Sequence, residues 1–131
     1  MIQRVIIADD SSTARMIIKR CLEIGGLSEA EFLEANDGAE ALELAKSGQV
    51  DLVVTDLNMP NMDGRTLLKH IKSSPRLTAL PVLVISSASN KAIEIELVQK
   101  GALAVVNKPV TPAGVAAALE NLNEGQDNGW G

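Results

Sequence analysis

Five side chains with chemical capacity stand where short apolar runs end: Asp9 and Asp10, then Asp56, Ser86 and Lys108. Two carboxylates about 4 Å apart repel by ~4 kcal/mol at an effective dielectric of 20, so a third brought beside them calls for a cation. Magnesium suits this inventory, because it prefers oxygen ligands, keeps several waters and binds through one or two carboxylates plus a phosphate. Zinc does not suit it, since His70 and Cys21 are the only imidazole and thiol and fall in separate helical patterns. Taken singly, each residue has an ordinary use: Asp10 as a helix cap, Asp56 as a turn residue before Asn58 and Pro60, Ser86 as a polar strand end, Lys108 as a solvated charge. Their shared placement at the ends of apolar runs favours a common site.

The elements that must position them are legible from periodicity. Apolar runs at residues 5–8, 32–35, 52–55, 82–85 and 102–106 read as five strands. Four are nearly continuous in apolar character, which predicts burial on both faces of a parallel sheet; the second, preceded by Glu31 and interrupted by Glu34, is the exception. Between them, Ala14, Ile17, Ile18, Cys21 and Leu22 recur at helical spacing, with Ser11 or Ser12 as cap and Gly25 and Gly26 as the stop. Further helices are expected over about residues 37–45, 64–71 and 90–100. A fifth opens with Thr111 as cap and Pro112 in its first turn, and places Val115, Leu119 and Leu122 on one stripe. Strand and helix alternate five times, which predicts an α/β fold with right-handed crossovers, a doubly wound parallel sheet and helices on both faces. In such sheets the crevice lies beyond the carboxyl ends of the strands, and every residue of the candidate site is found there. Adjacent Asp9 and Asp10 would face opposite ways inside a strand, but just past its end the backbone can turn both toward one point.

Composition narrows the classes. A chain of 131 residues with 46% hydrophobic residues fits one domain, and its core must be aliphatic because it has one Phe, one Trp and no Tyr. Few aromatics, a net charge of -5 and no basic run argue against direct nucleic-acid binding. The single cysteine, Cys21, excludes an internal disulfide and reads as a small buried hydrophobe. The start of the chain is too acidic and its apolar run too brief for a signal peptide or membrane span, so a cytoplasmic protein without membrane attachment is expected.

The stretches VIIADDSSTAR at 5–15, LVVTDLNMPNMDG at 52–64, LPVLVISSAS at 80–89 and GALAVVNKPVTP at 101–112 resemble the receiver domain of two-component response regulators, in layout most like the single-domain chemotaxis type. The resemblance covers residues 4–122. It implies a flavodoxin-like five-stranded sheet of order 2-1-3-4-5 with five helices, a receiver domain over residues 1–123 and a flexible tail over 124–131. It implies Asp56 as phosphoacceptor, Asp10 and Asp56 as direct ligands of Mg2+ (or Mn2+), Asp9 acting through metal-bound water, and the Asn58 backbone carbonyl as a further ligand. Ser86 and Lys108 would bind the phosphoryl oxygens and, with Asp56, form the reacting set. The phosphodonor implied is a sensor histidine kinase, and the downstream target a protein bound on the face of the fourth helix, fifth strand and fifth helix. A monomer or weak dimer with self-catalysed phosphotransfer and autodephosphorylation, rather than a turnover enzyme, is the expected form. Lys108-Pro109 matches a step at which the family usually has a cis peptide.

One position departs from the pattern. Many receivers carry an aromatic residue three positions before this lysine, and here it is Val105, whose restricted χ1 cannot supply a long swinging lever. A haloacid-dehalogenase-like phosphatase shares the aspartyl phosphate and magnesium, but its acid two residues after the nucleophile is here Asn58, which cannot donate a carboxylic proton. A pseudo-receiver that binds partners without phosphorylation conflicts with the full set of acids, Ser86 and Lys108. Neither G-x-x-x-x-G-K-[ST] nor G-x-G-x-x-G follows the first strand, and Ser86 lacks the setting of a hydrolase nucleophile.

Overall fold

The computed structural model describes residues 2–87 and 90–128. Its elements are β1 (Arg4–Ala8), α1 (Ser12–Leu22), β2 (Glu31–Ala35), α2 (Gly38–Lys46), β3 (Leu52–Asp56), α3 (Gly64–Ser73), β4 (Val82–Ser86), α4 (Lys91–Gln99), β5 (Ala104–Asn107) and α5 (Pro112–Asn128). All strand pairs are parallel, in the order β2-β1-β3-β4-β5.

The two-residue period of the strands divides the core into two layers. Ile6, Ala8, Val53, Val82 and Val84 face α2, α3 and α4, where Leu42, Leu67, Leu68, Ile71 and Leu97 meet them. Val5, Ile7, Leu52, Val54, Leu83 and Ile85 face α1 and α5, against Ile18, Cys21, Leu22 and Val115. Cys21 is buried and free, as a small hydrophobe should be.

Helix starts follow their caps. Ser11, Asp37, Asp63, Asn90 and Thr111 accept the backbone N–H of Ala14, Glu40, Thr66, Ile93 and Gly114 at 2.8–3.2 Å. Each such cap contributes about 1 kcal/mol, and because every helix follows a strand, all five lie on the edge of the sheet where the strands end.

Several expectations need correction. The first helix passes from α-helix into a short π-type segment, Glu23–Leu27, and the expected glycine stop falls at Gly26, whose φ of 126° breaks the helical path. Ile17 does not join the buried stripe and is half exposed, because the face that meets the sheet is narrower than the apolar pattern. The fifth strand starts at Ala104, two residues later than its apolar run, and is only partly buried. It is an edge strand, so strand order, which no apolar run encodes, decides its exposure. Helix α5 is continuous to Asn128, so helical backbone occupies 124–128 of the stretch expected to be a tail, and residues 129–131 lie outside the described residues.

Candidate functional site

Strand register brings the candidate residues to one edge. Asp56, the last residue of β3, pairs with Ile85, which leaves Ser86 one step further along β4. Ser86 pairs with Asn107, which sets Lys108 just beyond β5. Two backbone bonds fix this stagger: Leu57 N–H donates to Ile85 O at 3.1 Å and Lys108 N–H to Ser86 O at 2.9 Å. On the other side, Asp9 N–H donates to Ala35 O at 3.1 Å, continuing the β1-β2 ladder past the strand end. The Lys108-Pro109 peptide is cis.

Asp9, Asp10 and Asp56 converge: one carboxylate oxygen from each lies within 4.8 Å of the other two. Asp9 and Asp56 are buried and Asp10 is exposed, so the cluster opens to solvent on the Asp10 side. Lys108 Nζ donates to Asp9 Oδ2 at 3.2 Å and stands 3.6 Å from Asp56 Oδ2. Asp56 Oδ1 accepts the Leu57 N–H at 2.9 Å, and Asp9 Oδ1 accepts the Ser11 N–H at 2.9 Å. Ser86 is buried at the end of β4, and Asn58 lies in the exposed loop two residues after Asp56.

Electrostatics follow from this packing. Burial pushes the Asp56 carboxyl above its ordinary value, against the opposing pull of Lys108, and the neighbouring Asp9 charge adds to the rise. Burial works to lower Lys108, but the Asp56 and Asp9 carboxylates outweigh it and hold the ammonium above its usual value. Three carboxylates facing one ammonium leave two uncompensated negative charges. An all-oxygen donor set with that excess fits a hard divalent cation such as Mg2+.

The loops that carry these residues are fixed from neighbouring elements. Arg15 on α1 donates through Nη1 to Asp9 O and to Asn36 Oδ1, and through Nε to Glu34 at 2.8 Å. Asp37 accepts Asn61 Nδ2 at 2.7 Å through the oxygen that does not cap α2. Gly64 N–H donates to Leu57 O at 2.8 Å, and a Cβ at position 64 would lie 2.4 Å from Asp56 O. Only glycine therefore lets α3 start this close to the strand end. Asp9, Asp10, Asp56 and Lys108, singled out at strand ends, lie together in the structure, whereas Arg15, Asn36 and Asn61 carry no signal in the sequence and Asp37 reads there only as a helix start. The bonds Arg15–Glu34, Arg15–Asn36 and Asp37–Asn61 span 19 to 24 positions of chain, beyond the reach of any local pattern; only the contacts to Asp9 and Glu40 are local.

A doubly wound sheet with an acidic cluster and a lysine at its carboxyl edge defines a class, and the family model for the response regulator receiver domain matches residues 5–120. The chain belongs to that family. Within it, the chain is 40% identical over 121 residues to chemotaxis protein CheY-3 of Vibrio cholerae, covering 92% of each chain. It is 38% identical to chemotaxis protein CheY of Pseudomonas aeruginosa, over 92% of this chain and 96% of that one. Its backbone is similar to that of the Vibrio cholerae chemotaxis response regulator CheY4, with a TM-score of 0.77, 26% identity, and 95% and 98% of the two chains covered. It is a CheY-like two-component signalling protein. Among the described residues, no helix is long and apolar enough to cross a membrane.

Proposed function

We propose that Asp56 accepts a phosphoryl group from the phosphohistidine of a sensor histidine kinase, and that Asp9, Asp10, Asp56 and the Asn58 backbone carbonyl hold Mg2+ during the transfer. The observation that carries this reading is the meeting of three carboxylates with Lys108 at the carboxyl edge of the sheet. When bound, the divalent cation neutralises phosphoryl oxygens and offsets the carboxylate repulsion; Mn2+ accepts the same oxygen donors. A carboxylate oxygen of Asp56 attacks phosphorus in line as the bond to the imidazole nitrogen breaks, and that nitrogen keeps the electron pair. Lys108 turns from the carboxylates to the new phosphoryl oxygens, and the Ser86 hydroxyl donates to another of them. Water later hydrolyses the aspartyl phosphate, so Asp56 is regenerated without turnover of an outside substrate.

The output passes to a protein partner on the face of α4, β5 and α5, with the chain acting in the cytoplasm as a monomer or weak dimer and without nucleic-acid contact. Val105 packs, partly buried, against the core on the side of α3 and α4. A β-branched side chain there repacks locally, so the signal leaves mainly through the chain following Ser86 and the start of α4. Incubation with Mg2+ and acetyl phosphate, followed by intact mass, tests the phosphoacceptor. A gain of one phosphoryl group in the parent and none in Asp56→Asn is expected; equal labelling of both overturns the assignment.

A further inference from the structure

The loop between β2 and α2 supplies no residue to the acidic cluster, yet it is bonded to Arg15, which holds the Asp9 carbonyl, and to the loop that follows Asp56. Toward β1, Asn36 Oδ1 accepts Arg15 Nη1 at 3.1 Å, and the same guanidinium nitrogen donates to the Asp9 carbonyl. Toward β3, Asp37 is buried and its two oxygens have separate tasks. Oδ1 accepts the Glu40 N–H and caps α2, while Oδ2 accepts Asn61 Nδ2. The Asn61 bond and then the Glu40 bond hold the Asp37 carboxyl below its ordinary value, so it stays ionised at neutral pH.

Asn61 sits at φ 65°, in the left-handed region that disfavours L side chains, three residues after Asn58. Next to it, Gly38 N–H donates to Met62 O at 2.9 Å, and a Cβ at position 38 would lie 2.6 Å from that oxygen. The start of α2 is therefore pressed directly onto the loop 57–63. Cap and clamp belong to one carboxylate, so the position of the loop is referred to the α2 N-terminus.

We propose that Asp37 is a positioning residue for the phosphorylation site: through its charge-assisted bond to Asn61 it sets the loop that presents the Asn58 carbonyl to the divalent cation. This rests on the function proposed above. Asp37 acts through Asn61 and touches neither the cation nor the phosphoryl group.

The capping role separates from the clamping role by exchange of the pair. Asp37→Asn keeps an oxygen for the Glu40 N–H, because Asn caps as well as Asp, but turns an amide nitrogen toward Asn61, whose amide must flip to accept it, so that at most a neutral bond replaces the charge-assisted one. The double exchange, Asp37→Asn with Asn61→Asp, restores a donor facing a carboxylate with the polarity reversed, and Asp tolerates the left-handed region at 61. Mg2+ affinity is measured by calorimetry near 0.15 M salt for the parent, Asp37→Asn, the double exchange and Asp10→Ala, with a melting curve for each. Residues that orient a ligand from behind typically cost ~10–100-fold in metal affinity when changed, and a single carbonyl places this case at about tenfold. The expected result is a loss of about tenfold in Asp37→Asn, recovered to within about threefold by the double exchange, with helix content unchanged. Should Asp37→Asn and the double exchange both bind as the parent does while Asp10→Ala is weakened, the clamp is overturned and the cation site stands. The clamp is likewise overturned if the double exchange binds as weakly as Asp37→Asn. Unchanged affinity in Asp10→Ala overturns the cation site and the clamp with it.

Discussion

Replacing Asp56 by asparagine should make the protein more stable when no divalent cation is present. Asp56 is 8% exposed, so its ionised carboxylate has lost most of its water. At an effective dielectric of 20, the Lys108 ammonium at 3.6 Å returns ~4.6 kcal/mol, while each carboxylate within 4.8 Å costs at least ~3.5 kcal/mol. Asp10 is exposed and solvent weakens its share, but Asp9 is buried and alone cancels most of the lysine's attraction. The desolvation of Asp56 is then left nearly uncompensated, in agreement with its raised pKa. Asp56→Asn keeps the shape and the oxygen that accepts the Leu57 N–H, and Lys108 keeps Asp9 at 3.2 Å. A gain of about 1–2 kcal/mol is expected at neutral pH, a rise in Tm of about 3–8 °C for a domain of this size.

The sign of the pH dependence is fixed by the same shift. A carboxyl that binds its proton more tightly folded than unfolded adds stability as the pH falls through its raised folded value toward 3.8, and that stability is lost as the pH rises again. The advantage of Asp56→Asn is therefore greatest above the raised folded value and shrinks on acidification. Magnesium at about 100 times its Kd adds roughly 2.7 kcal/mol to the parent, narrowing or reversing the gap. Calorimetric melting in chelator, across a pH series and then with Mg2+, reads all three trends. A variant that melts at or below the parent in chelator at neutral pH, or a gap independent of pH, refutes the electrostatic account.

Two further outcomes follow from the geometry. Lys108 holds the carboxylates a cation needs, so Lys108→Ala should tighten Mg2+ binding by about 3–10-fold in a calorimetric titration, a change of ~1 kcal/mol, while the amide shifts induced by a beryllofluoride phosphoryl mimic shrink; weaker Mg2+ binding would place the ammonium among the cation's supports instead. Gly64→Ala forces a Cβ to 2.4 Å from Asp56 O and 3.0 Å from Leu57 Cα, both backbone, and should cost about 1–3 kcal/mol in urea unfolding together with slower phosphoryl uptake from acetyl phosphate; parent-like values for both would mean that α3 can shift without disturbing Asp56.

Features that depend on neighbours along the chain could be read without the structure. Apolar period placed five strands and five helices in alternation, and Ser11 or Ser12 and Thr111 were legible as caps, because a cap bonds an N–H only three residues ahead; Asp37, Asp63 and Asn90 cap α2, α3 and α4 in the structure. The same locality set Asp9, Asp10, Asp56, Ser86 and Lys108 at strand ends, and a parallel sheet collects its strand ends on one edge. Tertiary structure decided which of their oxygens meet. Lys108 reaches Asp9 across 99 positions of chain because only β3 and β4 lie between β1 and β5 in the sheet and the register staggers their ends toward one point. It also decided that β5 is only partly buried at an edge of the sheet, and that Asp37 accepts a bond from Asn61, 24 positions further along the chain. Period and capping are read within one turn or one pleat, whereas strand order and side-chain convergence are properties of the packed sheet, and no local pattern carries them.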